Sequence, residues 1–317
     1  MLLTLLINKM KSLYLAIAFL FLVSCSKPVK QNAENPSIGP TPETFSFSGK
    51  PLYQKPTDSI AMAKADSIIN TLKSKSPITE DDYIELGRQY VSTNRFNMAI
   101  EIFSVGLGNF PNSFKLLRHR GHRYLNLRQL DKAILDLNKA EELIRNQPEV
   151  WEYDAAGKPS ATYQHQIWYH IGLYYFLKKS YVESASAYEK CLAATKEGKN
   201  IAGASDWLYN AYQRSGQKEK AAIVAKPFTL DFVIEDKDYP YFRRLLLFNG
   251  KIKPEELIDE SKPIEQLSLT ELTKLYGLAN WYAYNGNKEK AKTLYSKILL
   301  SKEWAGFAYA CAELDAE

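Results

Sequence analysis

Apolar residues fall along this chain in three different patterns. After Lys9 and Lys11, residues 13–23 form an uncharged apolar run. That run is too short for an ordinary bilayer-spanning helix, which needs about 20 residues. Residues 26–57 hold six prolines among Ser, Thr, Asn and Gln. Such a stretch buries too little apolar surface to offset its ordering entropy, and it reads as a tether, with Phe45, Phe47, Leu52 and Tyr53 as apolar residues able to dock its end. From Asp58 onward the spacing turns helical: Ile60, Ala63, Ala65, Ile68, Ile69 and Leu72 supply one face of a helix over 58–73.

Beyond residue 80 the pattern repeats with a period near 34. Residues 80–113 carry Tyr83, Leu86, Gly87 and Tyr90, then Ala99, Phe103 and Pro111. Residues 114–147 place Leu117, Gly121, Tyr124, Ala133, Leu137 and Ala140 at equivalent positions, and 165–198 place Trp168, Ile171, Gly172, Tyr175, Ser184, Tyr188 and Cys191. Units near 202–235 and 272–305 keep Leu208, Tyr212, Gly216 and Ala221, and Leu278, Ala279, Tyr282, Gly286, Ala291 and Tyr295. Small residues let two helices approach closely while aromatics fill the space between neighbouring pairs. One pair cannot bury its own apolar face, so the units must stack.

The motif Tyr83-x2-Leu86-Gly87-x2-Tyr90, followed by Ala99-x3-Phe103 and Pro111, resembles the tetratricopeptide repeat (TPR). The resemblance implies an all-α, TPR-type helical-hairpin solenoid over 58–317, with about five repeats, an atypical helical pair at 236–269 and a C-terminal capping helix at 304–315. Pro148 and Glu149 through Gly157, Lys158 and Pro159 break the phase, so 148–164 reads as an inserted loop by its turn residues.

Leu22-Val23-Ser24-Cys25 resembles the lipobox of bacterial lipoproteins. This implies a signal peptide over 1–24, acylation of the Cys25 sulfur, and a lipidated tether over 25–57. Several acyl chains anchor durably, each buried CH₂ contributing about 0.8 kcal/mol. Ser26 in place of Asp resembles lipoproteins sorted to the outer membrane, and the absence of an acidic run after Cys25 points to a protein facing the periplasm. Met10 offers an alternative start.

Net charge narrows the partners. The chain has 41 Lys and Arg against 36 Asp and Glu, or +5, and two of those lysines lie in 1–24, which leaves +3. So small an excess gives no argument for nucleic acid.

In TPR proteins the first helix of each repeat lines the concave groove. Carried over by position, the resemblance implies groove residues that include Arg88, Lys115, Arg118, His122, Tyr169, Phe176, Asn210 and Asn280. Arg118 and His122, four apart, share a helix face, with Arg88 projecting from the preceding repeat. A guanidinium suits a carboxylate or phosphate, so Arg88, Lys115, Arg118 and His122 form a candidate anion patch. Two competing readings stand beside this one. The block Arg118-His119-Arg120-Gly121-His122-Arg123 could pair structurally with Asp136 or with Glu149, Glu152 and Asp154 of the insertion, and Phe176, between Leu173 and Leu177, suits a core.

Other chemistry finds little footing. His119 and His122 have a metal-like spacing, but Arg118, Arg120 and Arg123 would repel a cation. No phosphate-binding glycine loop, G-x-S-x-G, H-E-x-x-H or paired-cysteine motif occurs, and Cys191 and Cys311 read as separate packing residues. The sequence thus predicts a noncatalytic envelope scaffold without cofactor or metal, binding a protein or peptide. The alternative is a lipoprotein that captures a glycan or small anion. An open groove would favour the first, and a closed pocket grouping Arg118, His122, Tyr169 and the 148–164 segment the second.

Overall fold

The computed structural model describes residues 40–154, 157–196 and 198–316. The leader, Cys25 and the first part of the tether lie outside the described residues. From residue 40 onward the chain is one compact unit. Its helices are α1 (Ser59–Lys73), α2 (Glu80–Ser92), α3 (Phe96–Asn109), α4 (Phe114–Asn126), α5 (Leu130–Ile144), α6 (Tyr163–Leu177), α7 (Tyr181–Ala193), α8 (Gly198–Arg214), α9 (Lys218–Ala225), α10 (Pro240–Phe248), α11 (Pro254–Leu257), α12 (Leu269–Tyr284), α13 (Lys288–Ile298) and α14 (Phe307–Asp315).

Glycine sets the spacing within a hairpin. A Cβ on Gly87 of α2 would sit 2.1 Å from a ring carbon of Phe103 on α3, and one on Gly172 of α6 would sit 2.7 Å from the Tyr188 ring on α7. Hydrogen at these positions admits the rings, and both aromatics are fully buried. The turns inside the hairpins also repeat. Asn94, Arg128, Lys179, Gly216 and Gly286 all adopt left-handed backbone between paired helices. Capping boxes start α2 (Thr79 with Asp82) and α12 (Ser268 with Glu271), satisfying amides that have no intrahelical acceptor.

The inserted segment is more ordered than its turn residues suggest. Trp151–Tyr153 (β3) and Pro159–Thr162 (β4) pair antiparallel, and the strand alternation buries Glu152 while leaving Tyr153 exposed. A second small hairpin, Thr44–Phe45 (β1) with Pro51–Leu52 (β2), lies in what reads from the sequence as the end of the tether. Residues 40–57 instead pack on the solenoid. Leu52 joins the core, Thr44 Oγ1 donates to Leu127 O at 2.6 Å, and Trp304 Nε1 donates to Tyr53 O at 2.6 Å.

Helix α14 is more than a cap on the last repeat. It packs on α12 and α13 and also reaches α6. Arg128, at the α4–α5 turn, pairs with Glu313 of α14 at 3.0 Å and donates to Trp304 O at 2.8 Å, with both charged side chains buried. The C-terminus therefore closes back onto the second hairpin, 185 residues away.

Candidate functional site

Helices α2, α4 and α6 turn their inner faces to a cavity of about 700 Å³. Arg88 comes from α2; Arg118, His119, His122 and Arg123 from α4; His165, Tyr169 and His170 from α6. Glu152 and Ser160 of the β3–β4 hairpin form one wall, and Gly203, Tyr239, Tyr241 and Phe307 form the other. All four histidines of the sequence line this one space. No helix is long and apolar enough to cross a membrane among the described residues.

Glu152 organises the charges. Its carboxylate meets Arg88 Nη2 at 2.5 Å, pairs with Arg118 Nη2, and lies 3.3 Å from His119 Nε2. Burial opposes its ionisation, but Arg118, His119 and Arg88 outweigh that and hold the carboxyl well below the usual range. Burial and Arg118 push His119 down to about 3 and His165 down to about 4. His122 and His170 are lowered by burial and by the adjacent arginines, and their rings meet at 4.0 Å. All four imidazoles are therefore neutral at neutral pH. His170 donates Nδ1–H to Gln166 O at 2.6 Å, because a carbonyl can only accept. Thr195 spends its hydroxyl hydrogen on Cys191 O, so His165 donates Nδ1–H to Thr195 Oγ1 at 2.6 Å.

The expected groove residues separate into two groups. Arg88, Arg118, His122 and Tyr169 converge on the cavity. Lys115 does not: it pairs with Glu80 at 3.1 Å and Asp81 at 3.0 Å beside an adjoining recess lined by Trp151 and Tyr163. Phe176 is core, packed edge-on against Tyr181 and Trp207. Asn210 and Asn280 are fully buried and bonded to each other at 2.9 Å. They belong to a network with Arg214, Tyr276, Tyr295 and Asp315, in which α14 covers the inner faces of α8 and α12. The sequence offset placed these residues on first helices correctly, but α14 occupies the space they would have lined.

The structural reading of the basic block holds in part. Arg120 grips Asp136 with two bonds of 2.7 and 2.8 Å, Arg118 takes Glu152, and Glu149 pairs with Lys196. Sequence reasoning missed Arg123, His165, His170, Tyr239, Tyr241 and Phe307 as cavity residues. For His165 and His170 the sequence signal was the clustering of histidines at 119–122 and 165–170, and for Arg123 it was the basic block 118–123; Tyr239, Tyr241 and Phe307 carried none.

Two of its groups are poorly placed for nucleophilic or acid chemistry. Cys191 Sγ lies 3.3 Å from His165 Nδ1, but burial raises the thiol well above its ordinary value and leaves no thiolate nucleophile. Glu152 is held ionised between cations and cannot serve as a general acid. Cys191 and Cys311 are both free and buried.

A family model described as tetratricopeptide repeat matches residues 165–197, which span α6 and α7. No curated protein matches the sequence. Similar solved structures include a tetratricopeptide repeat protein from Parabacteroides merdae, 15% identical, covering 78% of this chain and 92% of that one at a TM-score of 0.48. MamA from strain AMB-1 is 15% identical, covering 53% and 92% at a TM-score of 0.39. A putative kinesin light chain with TPR-like repeats from Podospora anserina is 13% identical, covering 69% and 93% at a TM-score of 0.41.

Proposed function

Starting from a chain that is a tetratricopeptide-repeat solenoid, we propose a noncatalytic binding protein that captures a small anionic ligand in the α2–α4–α6 cavity. Helical repeat proteins offer concave faces to their partners. Here that face is divided, because α14 and its polar network fill the downstream half. The observation that carries the reading is the meeting of Arg88, Arg118, His122, Tyr169 and the β3–β4 hairpin around one space. Its volume lies within the roughly 300–1,000 Å³ of small-molecule sites. An extended peptide would need a continuous groove.

The lipobox resemblance supports a bacterial envelope protein, held at the outer membrane by acylated Cys25 and facing the periplasm. Capture near that membrane is the role proposed, in place of display of a long groove to a protein.

Differential scanning fluorimetry with acetate, phosphate, sulfate, citrate and galacturonate, against neutral sugars and peptides with free C-termini, tests the reading. Stabilisation by at least one small anion, lost at high salt, is expected. Stabilisation by peptides alone would return the scaffold reading to first place.

A further inference from the structure

The cavity charges are unevenly matched. Glu152 stands between Arg88 and Arg118, and Glu85 lies 3.8 Å from Arg88 as a second carboxylate. Arg123 has neither. Among the described residues it makes no ion pair and no side-chain hydrogen bond, and its one specific contact is the Phe96 ring, 5.9 Å from the guanidinium carbon. It lines the cavity beside His122; burial and Arg118 work against its charge, and the Glu152 carboxylate, which it does not touch, supports it. A guanidinium nonetheless keeps its proton at neutral pH. Five N–H donors and a positive charge with no direct counter-ion therefore border the space, which calls for one anionic group.

The histidines add a second requirement. With Nδ1–H committed to Thr195 and to Gln166, the rings of His165 and His170 carry bare Nε2 lone pairs, and neither nitrogen bonds a described group. Both rings line the same cavity. Neutral imidazole nitrogens of this kind only accept hydrogen bonds, so the ligand must bring donors as well as charge. Acetate has none. Tyr169, Tyr241 and Phe307 add aromatic surface that suits the apolar face of a ring.

We propose that the site binds a hydroxylated monocarboxylate of the sugar-acid class, its carboxylate on Arg123 and its hydroxyls donating to His165 and His170. This rests on the small-anion reading and specifies its ligand. The acid is free or is the terminal residue of an acidic oligosaccharide, and the two share the same contacts.

Isothermal titration calorimetry of the protein with galacturonate, glucuronate, galactose, acetate and phosphate tests it, with digalacturonate added to separate a free acid from a chain end. At least one of the two uronates is expected to bind about tenfold or more tighter than galactose, acetate and phosphate. Arg123→Gln should bring that uronate to the galactose level, while Arg123→Lys retains part of the affinity. His170→Phe should weaken the uronate and leave acetate unchanged, with the melting temperature of the free variant checking its fold. Binding of acetate or phosphate as tight as that of the uronates would overturn the sugar-acid assignment and leave small-anion capture standing. No response to any anion would overturn both. Should either variant fail to fold, the wild-type comparison of uronate, galactose and acetate still decides the matter.

Discussion

Glu152 Oε1 lies 2.5 Å from Arg88 Nη2, tying the inserted hairpin to the first helical pair across 64 residues of sequence. The same carboxylate holds Arg118 from the second pair. A single acidic residue outside the repeats thus pairs with two cations inside them. Glu152→Gln should cost about 3 kcal/mol in urea unfolding, because Arg118 is left buried without its counter-ion. The same variant should bind small anions more tightly than wild type in calorimetry, since it exposes two more guanidinium groups to the cavity. Unchanged stability would show that water replaces the carboxylate without cost.

Four buried histidines with lowered pKa values should make the fold acid-labile. A histidine with a folded pKa below 6.5 takes up its proton more readily when unfolded, so its contribution is complete above about pH 6.5 and is lost as pH falls. With His119 at about 3 and His165 at about 4, each should remove about 2 kcal/mol between pH 6.5 and 5. Urea midpoints across that interval check this. A His165→Gln variant should show a shallower slope, and a flat profile would contradict the buried neutral assignment.

The Glu152 carboxyl acts in a lower window. Its folded pKa is depressed, so its stabilisation is present above the unfolded value of 4.5 and declines as pH falls below it. In Glu152→Gln the additional loss below pH 4.5 should therefore be smaller than in wild type, as read from unfolding midpoints at pH 5 and pH 3.5.

Gly87→Ala tests the interhelical spacing. The added methyl would lie 2.1 Å from a Phe103 carbon, so the ring or a helix must move. Overpacking of this kind costs about 1–3 kcal/mol. Gly108→Ala is the control: a Cβ there meets nothing within 4 Å, and chemical unfolding should show little change.

Glu313→Ala tests closure of the solenoid. It leaves Arg128 buried without its partner, an arrangement that costs about 3–5 kcal/mol. Amide exchange should rise along α14 and in residues 40–57, both of which meet near Arg128 and Trp304. Exchange confined to α14 would show that the N-terminal segment docks independently.

Cys25→Ser tests the proposed address. It should abolish acyl labelling and release the protein from the membrane fraction. Retention of the variant in that fraction would exclude the lipid anchor.

The helical pairs were legible because their determinants are local. Gly87 with Phe103 and Gly172 with Tyr188 lie within one repeat, so a period near 34 in small and aromatic residues already implies paired helices and a stacked arrangement. The same offset identified Arg88, Arg118, His122 and Tyr169 as neighbours on first helices, and they meet at the cavity. Tertiary structure alone decided the rest. Glu152 turns inward because a two-stranded ladder sets its side, and no repeat pattern encodes that choice. Asn210 and Asn280 became core because α14 returns to their face, and Lys115 was drawn to Glu80 and Asp81. Each outcome depends on how the accumulated curvature brings distant segments together. A periodic pattern specifies the contacts between neighbouring repeats, whereas the meeting of Arg128 with Glu313 depends on the sum of all of them.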